Sequence, residues 1–188
     1  MDFGFSEQQE MLRTMARDFL AKECPKAKVR ELDKDELGYS PKMWSNMAEL
    51  GWQGLVFPEE YSGTEASFVD LLVLMEEMGR NITPGPFFST VALCALPLLK
   101  FGTKKQKAEY LPDIANGKAI WTFAFTEQSA SYKPSELTLS ATIEGDDYIL
   151  NGEKLFVADA HIANYLLVVA RTAKSKNPED GVTFFVVD

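Results

Sequence analysis

Histidine is almost missing from this 188-residue chain, cysteine occurs only twice, and basic side chains are outnumbered by acidic ones. One histidine, His161, and two distant cysteines, Cys24 and Cys94, offer no spacing at which a metal ion would find its ligands. No metal is therefore expected, and His161 reads as a loop or surface residue. Two isolated cysteines also make no disulfide scaffold, and they fit a pair of reduced, inert thiols. The 19 Lys and Arg stand against 28 Asp and Glu, a net charge of -9, which works against nucleic acid or an anionic membrane as partner. Long apolar runs are lacking too. The greasiest stretch, Phe87 to Leu99, contains Ser89, Thr90 and Pro97 and is too short to span a bilayer. The acidic start, Met1 to Phe5, leads straight into a polar helical pattern, unlike a secretory leader. These exclusions predict a cytoplasmic protein with no membrane insertion.

What is present is globular. Apolar residues make up 46% and charged ones 25%, proportions that bury a core and argue against disorder. The first part carries helix grammar. Ser6 with Gln9 forms a capping box ahead of Met11, Leu12, Met15, Phe19 and Leu20, and Pro25 closes the segment. Ser40 and Pro41 read as N-cap and first helical residue before Met43, Trp44, Met47 and Leu50, with Gly51 as the stop. Phe68, Leu71, Leu72, Met75 and Met78 form a stripe ended by Gly79, Phe87 to Leu99 form a nearly all-apolar helix, and Thr103 with Gln106 caps a last one before Gly117. Helices of this kind imply a bundle with a buried central member.

After Gly117 the period changes to that of strands. Ala119 to Thr126 is aromatic-rich, and Leu137, Leu139, Ala141 and Ile143 alternate with polar residues. Tyr148 to Leu150 is predicted to meet Lys154 to Val157 across an Asn151-Gly152 hairpin, with further strands at Tyr165 to Thr172 and Val182 to Val187. The expected class is α+β: an all-α helical bundle over residues 1–117, then an antiparallel β-barrel or sandwich domain over 118–188. Ending directly after a strand, that second domain reads as incomplete at its C-terminus, its edge needing a further segment or another chain.

One pair of stretches carries more than fold. Phe123-Ala124-Phe125-Thr126-Glu127 sets an exposed-looking Thr-Glu at the end of an apolar strand, and Lys154-Leu155-Phe156-Val157-Ala158 places an aromatic just beyond Asn151-Gly152. With Phe5-Ser6-Glu7-Gln8-Gln9, Leu50-Gly51-Trp52, Pro58 to Gly63, Phe101 to Lys107 and Leu150 to Lys154, in that order, the whole chain resembles the first two domains of acyl-CoA dehydrogenases. The resemblance implies FAD as cofactor, an acyl-CoA substrate oxidised across its α and β carbons, an electron-transfer partner, and a homo- or hetero-oligomer.

Residue by residue, the resemblance implies that Thr126 meets the flavin edge beside Phe123 and Phe125, and that Phe156 packs on the isoalloxazine. Ala158 stands where the family carries a hydroxyl residue. Ser131 and Tyr132 stand where it carries glycine and serine around the FAD pyrophosphate, with Ser129 and Lys133 as possible compensation. Phe87, Phe88 and Ser89 correspond to the region lining the acyl channel, although helix packing explains them equally well. The family's catalytic carboxylate belongs to a C-terminal helical domain, so no catalytic residue is assigned in this chain. Glu76 and Glu77 read as a solvated helix face, and Glu127 as a structural partner or a neighbour of CoA. Two other readings keep the fold: a non-catalytic or FAD-poor subunit of a mixed complex, and a flavin monooxygenase or acyl-CoA oxidase.

Overall fold

A computed structural model of the chain describes residues 4–145, 147–173, 177 and 180–188. It divides into two compact units, Met1–Ala119 and Ile120–Asp188.

In the first unit, helix ends follow local chemistry. α1 (Glu7–Glu23) opens on the Ser6–Gln9 capping box, and α6 (Lys104–Ala115) on the Thr103–Gln106 box. α4 (Phe68–Asn81) has a third box, in which Ser67 Oγ accepts from the Asp70 amide and Asp70 accepts from the Ser67 amide at 2.7 Å. Each box satisfies two backbone donors that helix geometry leaves orphaned. Pro25 closes α1 and also precedes a short helix that the sequence pattern did not announce, α2 (Lys26–Leu32). α3 (Pro41–Glu49) starts at Ser40 and Pro41, buries Met43, Trp44 and Met47, and is followed by Gly51 at φ +74°.

Two helical stripes are rotated from their predicted positions. In α1 the buried residues are Ala16 and Leu20, with Met11 and Met15 exposed. In α4, Leu71, Val73, Leu74 and Met78 are buried while Phe68 and Leu72 are exposed, and the helix runs past Gly79 to Asn81. The apolar run winds as a widened π-type helix over Phe88–Ala95 and continues as α5 (Leu96–Phe101), burying Val91, Cys94, Ala95 and Leu98. The widening lies just before Pro97, which has no N–H to donate to the preceding turn. Cys24 and Cys94 are buried thiols outside any disulfide, and burial raises the Cys24 thiol above its ordinary pKa.

Glu77 corrects the sequence reading outright. It is 3% exposed, and accepts from Arg17 Nε at 3.0 Å and Arg17 Nη2 at 2.7 Å, with Arg13 and Arg80 within 3.9 and 3.7 Å. Its neighbour Glu76 does face solvent and meets Arg13 at 3.3 Å. Successive helix positions point in different directions, so adjacent acids need not share a fate. The Arg17 hydrogen bonds outweigh burial and hold the Glu77 carboxyl below its ordinary value.

The second unit is a sheet of β1 (Trp121–Ala124), β2 (Ser140–Glu144), β3 (Asp147–Asn151), β4 (Tyr165–Arg171) and β5 (Val182–Val187). The sheet is mixed rather than wholly antiparallel. β4 runs parallel to β1 from Trp121↔Tyr165 to Ala124↔Val168 and meets β2 in parallel at Ser140↔Arg171, while β5 pairs with β4 antiparallel. The hairpin predicted at Asn151-Gly152 is one strand early in the chain. Its partners are β2 and β3, in register from Ser140↔Asn151 to Glu144↔Asp147. Gly152 instead serves close approach: a Cβ there would lie 3.0 Å from Leu139 Cγ. Lys154 to Val157 therefore leaves the sheet as irregular chain. Ala124, Leu139, Ala141, Val168 and Ala170 make one buried core cluster of this unit.

Candidate functional site

Strand alternation sends Ala124 into that core and leaves Phe123 and Phe125 on the other face. There the two rings stack at 5.8 Å between centroids, Phe125 stacks on Tyr132 at 6.1 Å with planes 13° apart, and Phe184 of β5 lies 6.2 Å from Phe123. The result is a row of rings, Phe184–Phe123–Phe125–Tyr132, half-buried at its centre and open at both ends, where Phe184 and Tyr132 are exposed. Phe184 was missed from sequence. Its strand was legible, but its pairing with β4, which brings it beside Phe123, was not.

Past β1 the chain is held by one carboxylate. Glu127, 6% exposed, accepts from the Thr138 amide at 2.7 Å, the Thr138 hydroxyl at 2.6 Å, the Leu139 amide at 3.0 Å and the Lys154 ammonium at 2.8 Å. Burial alone would raise its pKa, but the Lys154 ammonium, the Thr138 hydroxyl and the two amides together hold it at about 2. A carboxylate so saturated and so acidic is no general base near neutrality. Lys154 also donates to the Phe125 carbonyl at 3.0 Å, and the next amide, Leu155, donates to the Thr126 carbonyl at 2.8 Å. In sequence Lys154 stands only as the first residue of a predicted strand and as part of the stretches that carry the resemblance. Its partner lies 27 residues away, beyond any local pattern.

Phe156 follows directly. Its backbone sits at φ +52° and its ring is 91% exposed, a left-handed conformation and an exposure that both disfavour a large side chain. The structure thus brings the residue before Phe156 into a backbone hydrogen bond with Thr126, while the Phe156 ring itself stacks on none of Phe123, Phe125 or Tyr132. Ala158 supplies its carbonyl to the Thr122 hydroxyl. Ser131 accepts from the Lys133 amide at 3.1 Å, and Ser129 from the Ser131 amide at 3.4 Å. Both serine hydroxyls keep a proton to donate. A cleft of about 380 Å³ beside them is lined by Glu127, Glu136 and Glu153 with Gln128, Ser129 and Thr138.

In the helical unit a cavity of about 380 Å³ has no charged side chain among its described lining residues, which include Met43, Met47, Met75, Met78, Phe87 and Phe88. Ser89 does not line it: buried, it donates to the Pro86 carbonyl at 3.1 Å. His161 is exposed in the turn before β4. Among the described residues no group of three or more His, Cys, Asp or Glu is placed to hold a metal, and no helix is long and apolar enough to cross a membrane.

The acyl-CoA dehydrogenase N-terminal domain matches residues 6–118 and the acyl-CoA dehydrogenase middle domain residues 122–188. The chain belongs to the acyl-CoA dehydrogenase family. Among its family relatives, a probable acyl-CoA dehydrogenase of Bacillus subtilis, YngJ, is 34% identical over 100% of this chain and 49% of its own length. A caffeyl-CoA reductase-Etf complex subunit of Acetobacterium woodii, CarC, is 33% identical over 98% of this chain and 48% of its own length. The solved butyryl-CoA dehydrogenase of Megasphaera elsdenii superposes with TM-score 0.84 at 30% identity, covering 100% of this chain and 50% of that one. The chain spans about half the length of the family relatives it matches.

Proposed function

We propose that this chain forms the helical and sheet portion of an FAD-dependent oxidoreductase acting on the α,β bond of an acyl-CoA thioester. The observation that carries the reading is the junction at Thr126, where the Leu155 amide binds the Thr126 carbonyl and leaves the Phe156 ring in water on a strained backbone. An exposed ring at positive φ has a physical reason if a flat ligand covers it. Phe123, Phe125 and Thr126 would meet one edge of the flavin and Phe156 its face, a stacking contact worth about 0.5–1.5 kcal/mol. Ser131, with Ser129, would donate hydroxyl protons to the phosphates. Ala158 would contribute backbone alone. Bound FAD would supply a two-electron acceptor, and the residues of this chain would orient it and exclude water. Neither Glu127 nor Glu77 has the freedom of a base, so proton removal falls to a group outside those two. Phe87 and Phe88 would line the path of an apolar acyl group. An electron-transferring protein partner and an oligomeric, cytoplasmic setting belong to the same proposal.

Thr126→Ala tests it, because the backbone carbonyl that holds Leu155 is retained while the side-chain hydroxyl, together with its γ-methyl, is lost. Flavin retained through purification, read from visible absorbance, is expected to fall, with affinity weakened about five- to tenfold. Unchanged flavin content would count against the assignment.

A second reading is favoured by the Phe125–Tyr132 stack, in which an aromatic side chain already occupies one end of the ring row. Under it the chain is a flavin-poor subunit of a mixed assembly. One FAD per copy of the purified chain would reject that reading.

A further inference from the structure

The Glu127–Lys154 pair is a costly way to gain stability. Both side chains are buried, at 7% and 6% exposure, and taking a carboxylate and an ammonium out of water costs about as much as their attraction returns, so apolar groups of equal shape often serve as well or better. What apolar groups would not reproduce is the connectivity. The Lys154 ammonium joins the Phe125 carbonyl at 3.0 Å to the Glu127 carboxylate at 2.8 Å, and that carboxylate is fixed in turn by Thr138 and Leu139 ahead of β2. Three segments, 125–127, 138–139 and 154–155, are thereby tied at one point. The Leu155 amide then reaches the Thr126 carbonyl at 2.8 Å, and Phe156 is the next residue.

We propose that Lys154, through Glu127, is a positioning residue: it sets the register of Leu155 and Phe156 against Thr126, and so the geometry of the wall on which a planar ring rests. The register is a property of this chain alone. Its use for flavin rests on the function proposed above.

The test pairs Glu127→Gln with Lys154→Met in one chain, which removes both charges while keeping both shapes and leaving no uncompensated buried ion. Folding is followed by thermal unfolding, register by hydrogen exchange of the Leu155 amide, and ring binding by titration with FAD. Positioning predicts a thermal midpoint near that of the unaltered chain, Leu155 exchange faster by about tenfold or more, and FAD binding weaker by a similar factor. Lys154→Arg, which keeps a donor for both acceptors, should recover part of the Leu155 protection. Full Leu155 protection in the double variant would overturn the proposal. So would a fall in midpoint with no selective change at Leu155, since that is the mark of a merely structural pair. An unaltered chain that takes up no FAD would defeat the flavin reading alone, and the exchange measurement would still decide the register.

Discussion

Protonating Glu127 would weaken four hydrogen bonds at once, and its titration gives that effect a pH window. The folded carboxyl titrates at about 2, against an ordinary value of 4.5. A lowered pKa contributes stability that is complete above the unfolded value and is lost as pH falls toward the folded one, here about 3 kcal/mol between roughly pH 4.5 and 2. Urea unfolding of the unaltered chain and of Glu127→Gln should therefore differ most at neutral pH and converge only near pH 2. A gap that stays constant with pH would mean that the charge on Glu127 contributes nothing. At this scale sequence reading succeeded where the partner is three residues away, as for Ser6 with Gln9, and failed where it is distant. Glu77 looked like its neighbour Glu76 until Arg17, 60 residues earlier, was brought to it. Lys154 gave no sign that it would leave solvent.

Between elements, α1 and α4 are joined by polar as well as apolar contact. Three arginines, Arg13, Arg17 and Arg80, surround one buried carboxylate. Glu77→Ala would take from Arg17 and Arg80 the carboxylate they share, leaving Arg13 with Glu10 and Glu76, and the expected loss is about 3 kcal/mol, moderated because Arg17 can swing into water. Chemical denaturation measures it. Ser67→Ala removes one half of the capping box on α4 and should cost about 1 kcal/mol in the same measurement; a cost near zero would show that Asp70 caps the helix unaided. Helix starts were legible because caps are local. Strand partners were not: Asn151-Gly152 has the composition of a tight turn, yet Gly152 is spent on close approach to Leu139, and the parallel pairing of β1 with β4 spans some forty residues that no period reveals.

Across the whole molecule, the two candidate features fall in different units. The helical unit holds a cavity with no charged side chain among its described lining residues, and the sheet unit holds the row of rings and the Thr126 junction. The order of helices before strands was legible from the change of period after Gly117. The site was legible as a list of residues but not as an arrangement, because Phe184 and Lys154 join it only through tertiary pairing.

Since the Phe156 ring already stands clear of its neighbours, no packing need be undone before a flat guest lands on it. Uptake should then follow a single exponential whose rate climbs in proportion to guest concentration, as rapid mixing with fluorescence detection would reveal. A plateau at high concentration would mean that some gate, with the Tyr132 ring as the first suspect, must swing aside beforehand.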